Sequence, residues 1–259
     1  MSKIHSLSER IREYESCYQQ SIISKIPLVI TINGRNFQKT TALLDKPSSI
    51  DFLDAMGHIM ITIMSEISGS IFAYSFNDEI IIILKNDTMP WCDNITSKIV
   101  SITSSIASLE FLKFSKDKNL SLVGDPIFTS KVFAVPNFIE AINLLILKQQ
   151  YAFHAILNNV AFYELIKKYD AETVQHTLNG KSSQEKAEIL MEETGIDIDN
   201  IGLPFRRGIA AYRAPKIITT AKGEEIRSKL MLDTELPVFA QDKEFLFQIF
   251  KAGKDILRF

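Results

Sequence analysis

Hydrophobic and polar positions along the first half of the chain recur with a period that changes from segment to segment. Residues 6–23 follow a helical spacing that stops before Pro27, and LVITI at 28–32 is an unbroken, β-branched run leading into Asn33 and Gly34. That pattern predicts a helix, then a buried strand closed by a turn. After a polar loop containing Lys46 and Pro47, Ser48 and Ser49 stand where a helix N-cap is needed. Phe52, Leu53, Met56, Ile59, Met60 and Ile63 then recur at helical spacing until Gly69. SIFAYSF (70–76) and IIIILK (80–85) are two apolar runs parted by Asn77, Asp78 and Glu79, which is a hairpin pattern. Residues 91–113 read as a helix with Ile95, Ile99, Ile102, Ile106 and Leu109 on one face, and IFTSKVFAV (127–135) as a strand closed by Pro136.

The order β-α-β-β-α-β is that of the split β-α-β unit, a four-stranded antiparallel sheet with two helices on one face. The expected class is α+β, with a polymerase-palm-like core over residues 1–135. A mainly helical region, residues 136–259, completes the fold and includes an amphipathic helix at EFLFQIFKAGKDILRF.

Composition narrows the class. The 259 residues are 46% hydrophobic, enough for a sizeable core, and 29 basic against 31 acidic residues leave a net charge of -2. This excludes a strongly cationic nucleic-acid coat but leaves room for a local basic groove. Cys17 and Cys92 are the only cysteines, which fits neither a disulfide framework nor a thiolate zinc site and points to a reducing compartment. No apolar run approaches the roughly 18 residues that cross a bilayer. The expectation is a cytosolic protein with no membrane partner.

In a split β-α-β sheet the first strand lies beside the hairpin, so Asn33, Asp78 and Glu79 are expected to converge at one sheet edge. Paired oxygens there suit magnesium, which is usually shared between one or two carboxylates and substrate phosphates. The plainer reading is that these are ordinary turn residues. Asn158 and Asn159 are open to RNA contact or to burial as a hydrogen-bonded pair. Arg206, Arg207, Arg213 and Lys216, interleaved with Phe205 and Tyr212, read equally as a phosphate grip or a solvated loop. The G-K-S at 180–182 lacks the leading glycine and strand of a phosphate-binding loop, and the four histidines show no metal-ligand spacing.

An ordered set of segments resembles the tRNA-histidine guanylyltransferase family, and most closely its Thg1-like branch of 3′-to-5′ polymerases. SLSERIREYE is similar to the amino-terminal helix, ITINGRNF to R-I-D-G-R-x-F, DKPSS to the K-P-x-D loop, and FNDE to the S-D-E turn. TSKIVSITSS resembles the K-I-x-S helix, and FTSKVFAVPN the F-D-S-R-x-F-x-x-P strand. LKQQYAFHAILNN resembles W-R-Q-x-D-A, and LNGKSSQEKAEILMEETGIDIDN resembles L-x-G-K-S-x-x-E-K-x-E-x-L-x-x-x-G-I.

The resemblance implies a palm domain, two magnesium ions, ATP or GTP as substrate, a tRNA or related RNA 5′ end as partner, and a homotetramer. It implies Asp78 as bridging metal ligand, Glu79 as its acidic neighbour and the Gly34 carbonyl as a further ligand. Lys46 and Lys98 would hold the triphosphate, with Asn77, Ser101 and Arg35 as further nucleotide contacts, and Lys148, Arg206 and Arg207 would meet RNA. The chain departs from the pattern at Asn33, where the family has a metal-binding aspartate, and at Thr31, Ser49, Thr129, Leu147, Lys148 and Tyr151. Asn33 leaves three readings open: catalysis lost with nucleotide binding kept, a substitution made to trap a complex, or one metal lost or rescued by Glu79. The alternative to an enzyme is an impaired nucleotide- or RNA-binding module; a small-nucleotide transferase that uses no RNA is a third class.

Overall fold

A computed structural model of the chain describes residues 6–85, 90–220 and 223–256. In chain order it contains α1 (Leu7–Cys17), β1 (Leu28–Gly34), α2 (Phe37–Thr40), α3 (Ile50–Glu66), β2 (Ser70–Phe76), β3 (Glu79–Leu84), α4 (Thr96–Asp117) and β4 (Phe128–Ala134). There follow α5 (Phe138–Leu165), α6 (Ala171–Leu178), α7 (Ser183–Thr194), α8 (Leu203–Arg207), β5 (Ile209–Thr220), β6 (Gly223–Asp233) and α9 (Lys243–Ile256).

Local chemistry sets the helix starts. The Ser6 hydroxyl accepts from the Glu9 N–H while the Ser6 N–H donates to the Glu9 carboxylate at 2.7 Å, a capping box. Ser49 caps α3 by accepting from the Phe52 N–H. α1 ends at Cys17, short of the expected residue 23, and buries none of its side chains, so no packing prolongs it.

The strands form one antiparallel sheet in the order β4-β1-β3-β2-β5-β6. The four-stranded β-α-β-β-α-β core is present as expected. On one face Leu28, Ile30, Ile32, Ile80, Ile82 and Leu84 pack with α3 and α4. On the other, Val29, Phe72, Tyr74, Ile81 and Ile83 pack with Ala141, Ile142 and Leu145 of α5 and Leu246 and Phe250 of α9. β3 is therefore covered on both faces, which is why four consecutive isoleucines suit it where an alternating strand would leave one face wet.

Two further features differ from the sequence reading. The buried stripe of α4 is Ile99, Thr103, Ala107 and Phe111, whereas Ile102 and Leu109 are 39% and 51% exposed. α4 carries apolar residues on two sides, and contact with α3 and the sheet selects the side on which Phe111 joins the rings of Phe37, Phe52 and Phe128. The region after 136 is helical through α5–α8, but residues 209–233 form a hairpin that extends the sheet through β2–β5 pairing. Pro215 obscures β5 in the sequence; it lies past Tyr212, where β5 pairs only with β6, so its missing N–H costs no ladder bond to β2.

Candidate active site

The β2–β3 connection is a two-residue turn, Asn77–Asp78, with Asn77 at φ +46, a left-handed conformation that asparagine tolerates. Beside it, β1 ends with Asn33 opposite Glu79 in register, and the Gly34 N–H donates to the Asp78 carbonyl at 2.9 Å. The approach of strand one to the turn is thus as expected. Only glycine fits at 34, since a Cβ there would stand 2.3 Å from the Phe37 ring.

The two adjacent carboxylates part in direction. Asp78 lines a cavity of about 380 Å³ together with Lys46, Asn77, Asn159, Tyr163 and Phe205. Burial, reinforced by the neighbouring Glu79 charge, raises the Asp78 carboxyl above the ordinary range, and burial lowers the Lys46 ammonium. Glu79 instead meets α5, where both of its oxygens accept from the Lys148 ammonium at 2.7 and 2.8 Å.

Of the residues picked out in the sequence as nucleotide contacts, Lys46 and Asn77 are in the cavity. Lys98 and Ser101 lie near the start of α4 and do not line it: Lys98 is 3.8 Å from Asp93, and the Ser101 hydroxyl donates to the Lys98 carbonyl. Arg35 is exposed just after β1. The residues read as RNA contacts all have internal partners. Lys148 is paired with Glu79, Arg206 reaches the Asp199 carboxylate and the Ile201 carbonyl, and Arg207 donates to the Leu236 carbonyl at 2.9 Å. Arg213 belongs to β5 and donates to the Met64 carbonyl, which removes it from a solvated loop; the side chain of Lys216 lies outside the described residues.

The sequence reading missed Gln149. Its buried amide donates to the carbonyls of Arg207 (3.3 Å) and Pro237 (2.9 Å) and accepts from the Phe239 N–H at 2.7 Å, tying α5 to the end of α8 and to the loop before α9. The signal in the sequence is the glutamine of W-R-Q-x-D-A, which Gln149 matches inside LLILKQQY. Phe205, on the wall of the cavity, is carried by that same short α8.

The donor set does not fit the pair of magnesium ions that the resemblance implies. Asn33 is a neutral amide, Glu79 is engaged by Lys148, and among the described residues no group of three or more His, Cys, Asp or Glu side chains is placed to hold a metal. Nor is any described helix long and apolar enough to cross a membrane.

Two family models match the chain, tRNAHis guanylyltransferase over residues 8–136 and the Thg1 C terminal domain over residues 146–251. The tRNA(His) guanylyltransferase of Candida glabrata is 28% identical over 209 residues, 77% of this chain and 87% of that protein. A bacterial Thg1-like protein in complex with ATP superposes with a TM-score of 0.79 at 22% identity, covering 94% of this chain and 98% of the other. A second such complex, with GTP, gives 0.71 at 21% identity, covering 95% and 99%. These superpositions establish a shared fold.

Proposed function

Because the chain belongs to the tRNA(His) guanylyltransferase family, we propose that it is a nucleotidyltransferase extending the 5′ end of a tRNA or related RNA. Its nucleotide substrate is ATP or GTP, taken up as the magnesium complex. The observation that carries this reading is the cavity beside the β2–β3 turn, where the Lys46 ammonium and the Asp78 carboxylate share one space with aromatic side chains. Lys46 offsets triphosphate charge, Asn77 donates from its amide, and Phe205 and Tyr163 give apolar surface for a base. Asp78 accepts a proton from the attacking 3′-hydroxyl. Magnesium, when it arrives with the triphosphate, supplies charge neutralisation at the phosphates.

The 3′-hydroxyl of the incoming nucleotide attacks the activated 5′ phosphate of the RNA, a phosphorus–oxygen bond forms, and pyrophosphate or adenylate leaves. Arg35 and Lys98, both exposed, supply positive charge to longer substrates. The protein works as a homotetramer in the cytoplasm, in keeping with the resemblance and with cysteines that are both free.

Asn33 favours a second reading, a nucleotide-binding module without turnover. Addition of labelled nucleotide to a 5′-triphosphorylated, 5′-truncated tRNA separates the two. The unmodified chain should extend the RNA and Asp78→Ala should abolish extension; binding of nucleotide by the unmodified chain without any extension, restored by Asn33→Asp, would replace the enzyme with the module.

A further inference from the structure

We infer that this chain builds no two-metal centre of its own and takes one divalent cation, delivered with the nucleotide, because Lys148 stands as a resident cation on Glu79. The inference rests on the nucleotide-binding reading above and goes beyond it to the stoichiometry of the site.

The local charge is the first argument. Asp78 and Glu79, when ionised, bring two negative charges, Lys148 returns one positive and Asn33 brings none, so a single negative charge remains to face any metal. Two divalent ions bring four positive charges, and among the described residues no group of three or more Asp, Glu, His and Cys side chains is placed to receive them.

The geometry is the second. Both Glu79 oxygens are taken up by one ammonium, and the side chains are 13% and 20% exposed, so water screens the pair weakly and neither partner leaves without stranding the other. The backbone around the pair is tied as well: the Ser75 hydroxyl donates to the Glu79 carbonyl at 2.9 Å, and the Gly34 N–H holds the Asp78 carbonyl. Glu79 is thus fixed toward α5 while Asp78 is the carboxylate in the cavity. An ion with a single protein carboxylate completes its octahedron from phosphate oxygens and water, so its occupancy follows the nucleotide.

The test is equilibrium dialysis of the full-length chain against Mn²⁺, with and without the same concentration of a non-hydrolysable ATP analogue on both sides, the excess Mn²⁺ on the protein side giving the ions bound per chain. The expected result is no uptake of Mn²⁺ alone and about one ion per chain with the analogue. Asn33→Asp should raise the count toward two. Two ions in the unmodified chain, uptake of Mn²⁺ alone, or no gain in Asn33→Asp would each overturn the inference. Failure of the analogue itself to bind retires the nucleotide reading instead, and Mn²⁺ alone then still decides whether the chain holds a metal centre.

Discussion

Replacing Gln149 by leucine tests how much one buried side chain holds α5, α8 and the approach to α9 together. The substitution keeps size and shape but removes a donor and an acceptor. Three backbone groups lose the amide, and they do not lose equally. The Arg207 carbonyl keeps the Tyr74 hydroxyl at 2.9 Å as a partner, whereas the Phe239 N–H and the Pro237 carbonyl are left without theirs. Phe239 is fully buried, so its N–H bears the full cost of an unmet donor, about 1–3 kcal/mol; the Pro237 carbonyl, in a half-buried loop, falls at the lower end of the same range. The sum is about 2–4 kcal/mol. With a urea slope of about 1–3 kcal/mol per molar, the midpoint should fall by about 1 M or more. The assay is urea unfolding followed by far-UV circular dichroism and by the fluorescence of Trp91, the only tryptophan. The neighbouring, exposed Gln150→Leu is the control and should move stability by less than about 0.5 kcal/mol. A Gln149→Leu protein as stable as that control would refute the assignment of these hydrogen bonds as a structural tie.

Asp78→Asn should stabilise the free protein while weakening nucleotide binding. A carboxyl raised by burial contributes its full stability below its unfolded pKa and loses it as pH rises through the folded value, so melting temperature against pH should be flatter in the variant and higher at neutral pH. Gly208→Ala should cost about 3 kcal/mol or more by denaturant melts: its φ is +74, and a Cβ would stand 2.6 Å from the Ser75 carbonyl and the Tyr74 hydroxyl. Tyr212, with its hydroxyl on Asp233 at 2.9 Å, is pushed up to about 12, mainly by burial and then by that bond. Its contribution is full below the ordinary tyrosine value and lost as pH rises through about 12, so Tyr212→Phe should remove that part of the alkaline loss of stability seen in pH-dependent unfolding.

Local order made much of the fold legible. The hairpin, the strand at 28–32 and the start of α3 are set by turn residues, β-branching and a capping serine within a few positions of each other, and all three stand where the pattern puts them. What escaped was decided over long distances. α4 offers two apolar sides, and only the tertiary partner chooses Ile99 and Phe111 over Ile102 and Leu109. β5 exists because β2 offers it an edge from more than a hundred residues earlier. At the site, the spacing brought Asn33 and the turn together correctly. The parting of Asp78 from Glu79 depends on Lys148, a residue of α5 that ordinary pattern reading leaves on the surface.

The pairing of β2 with β5 sets a timetable for synthesis. A ribosome adds roughly 5–20 residues per second, so β2 emerges and then waits on the order of ten seconds before Ile209–Tyr212 arrives to occupy its open side. During that interval an apolar strand, SIFAYSF, presents unpaired N–H and C=O groups, the arrangement that invites pairing with a stranger. The nascent chain is therefore most vulnerable at β2 until Ile209–Tyr212 has been made, and slow translation or a shortage of holding chaperones should lower the yield of folded protein.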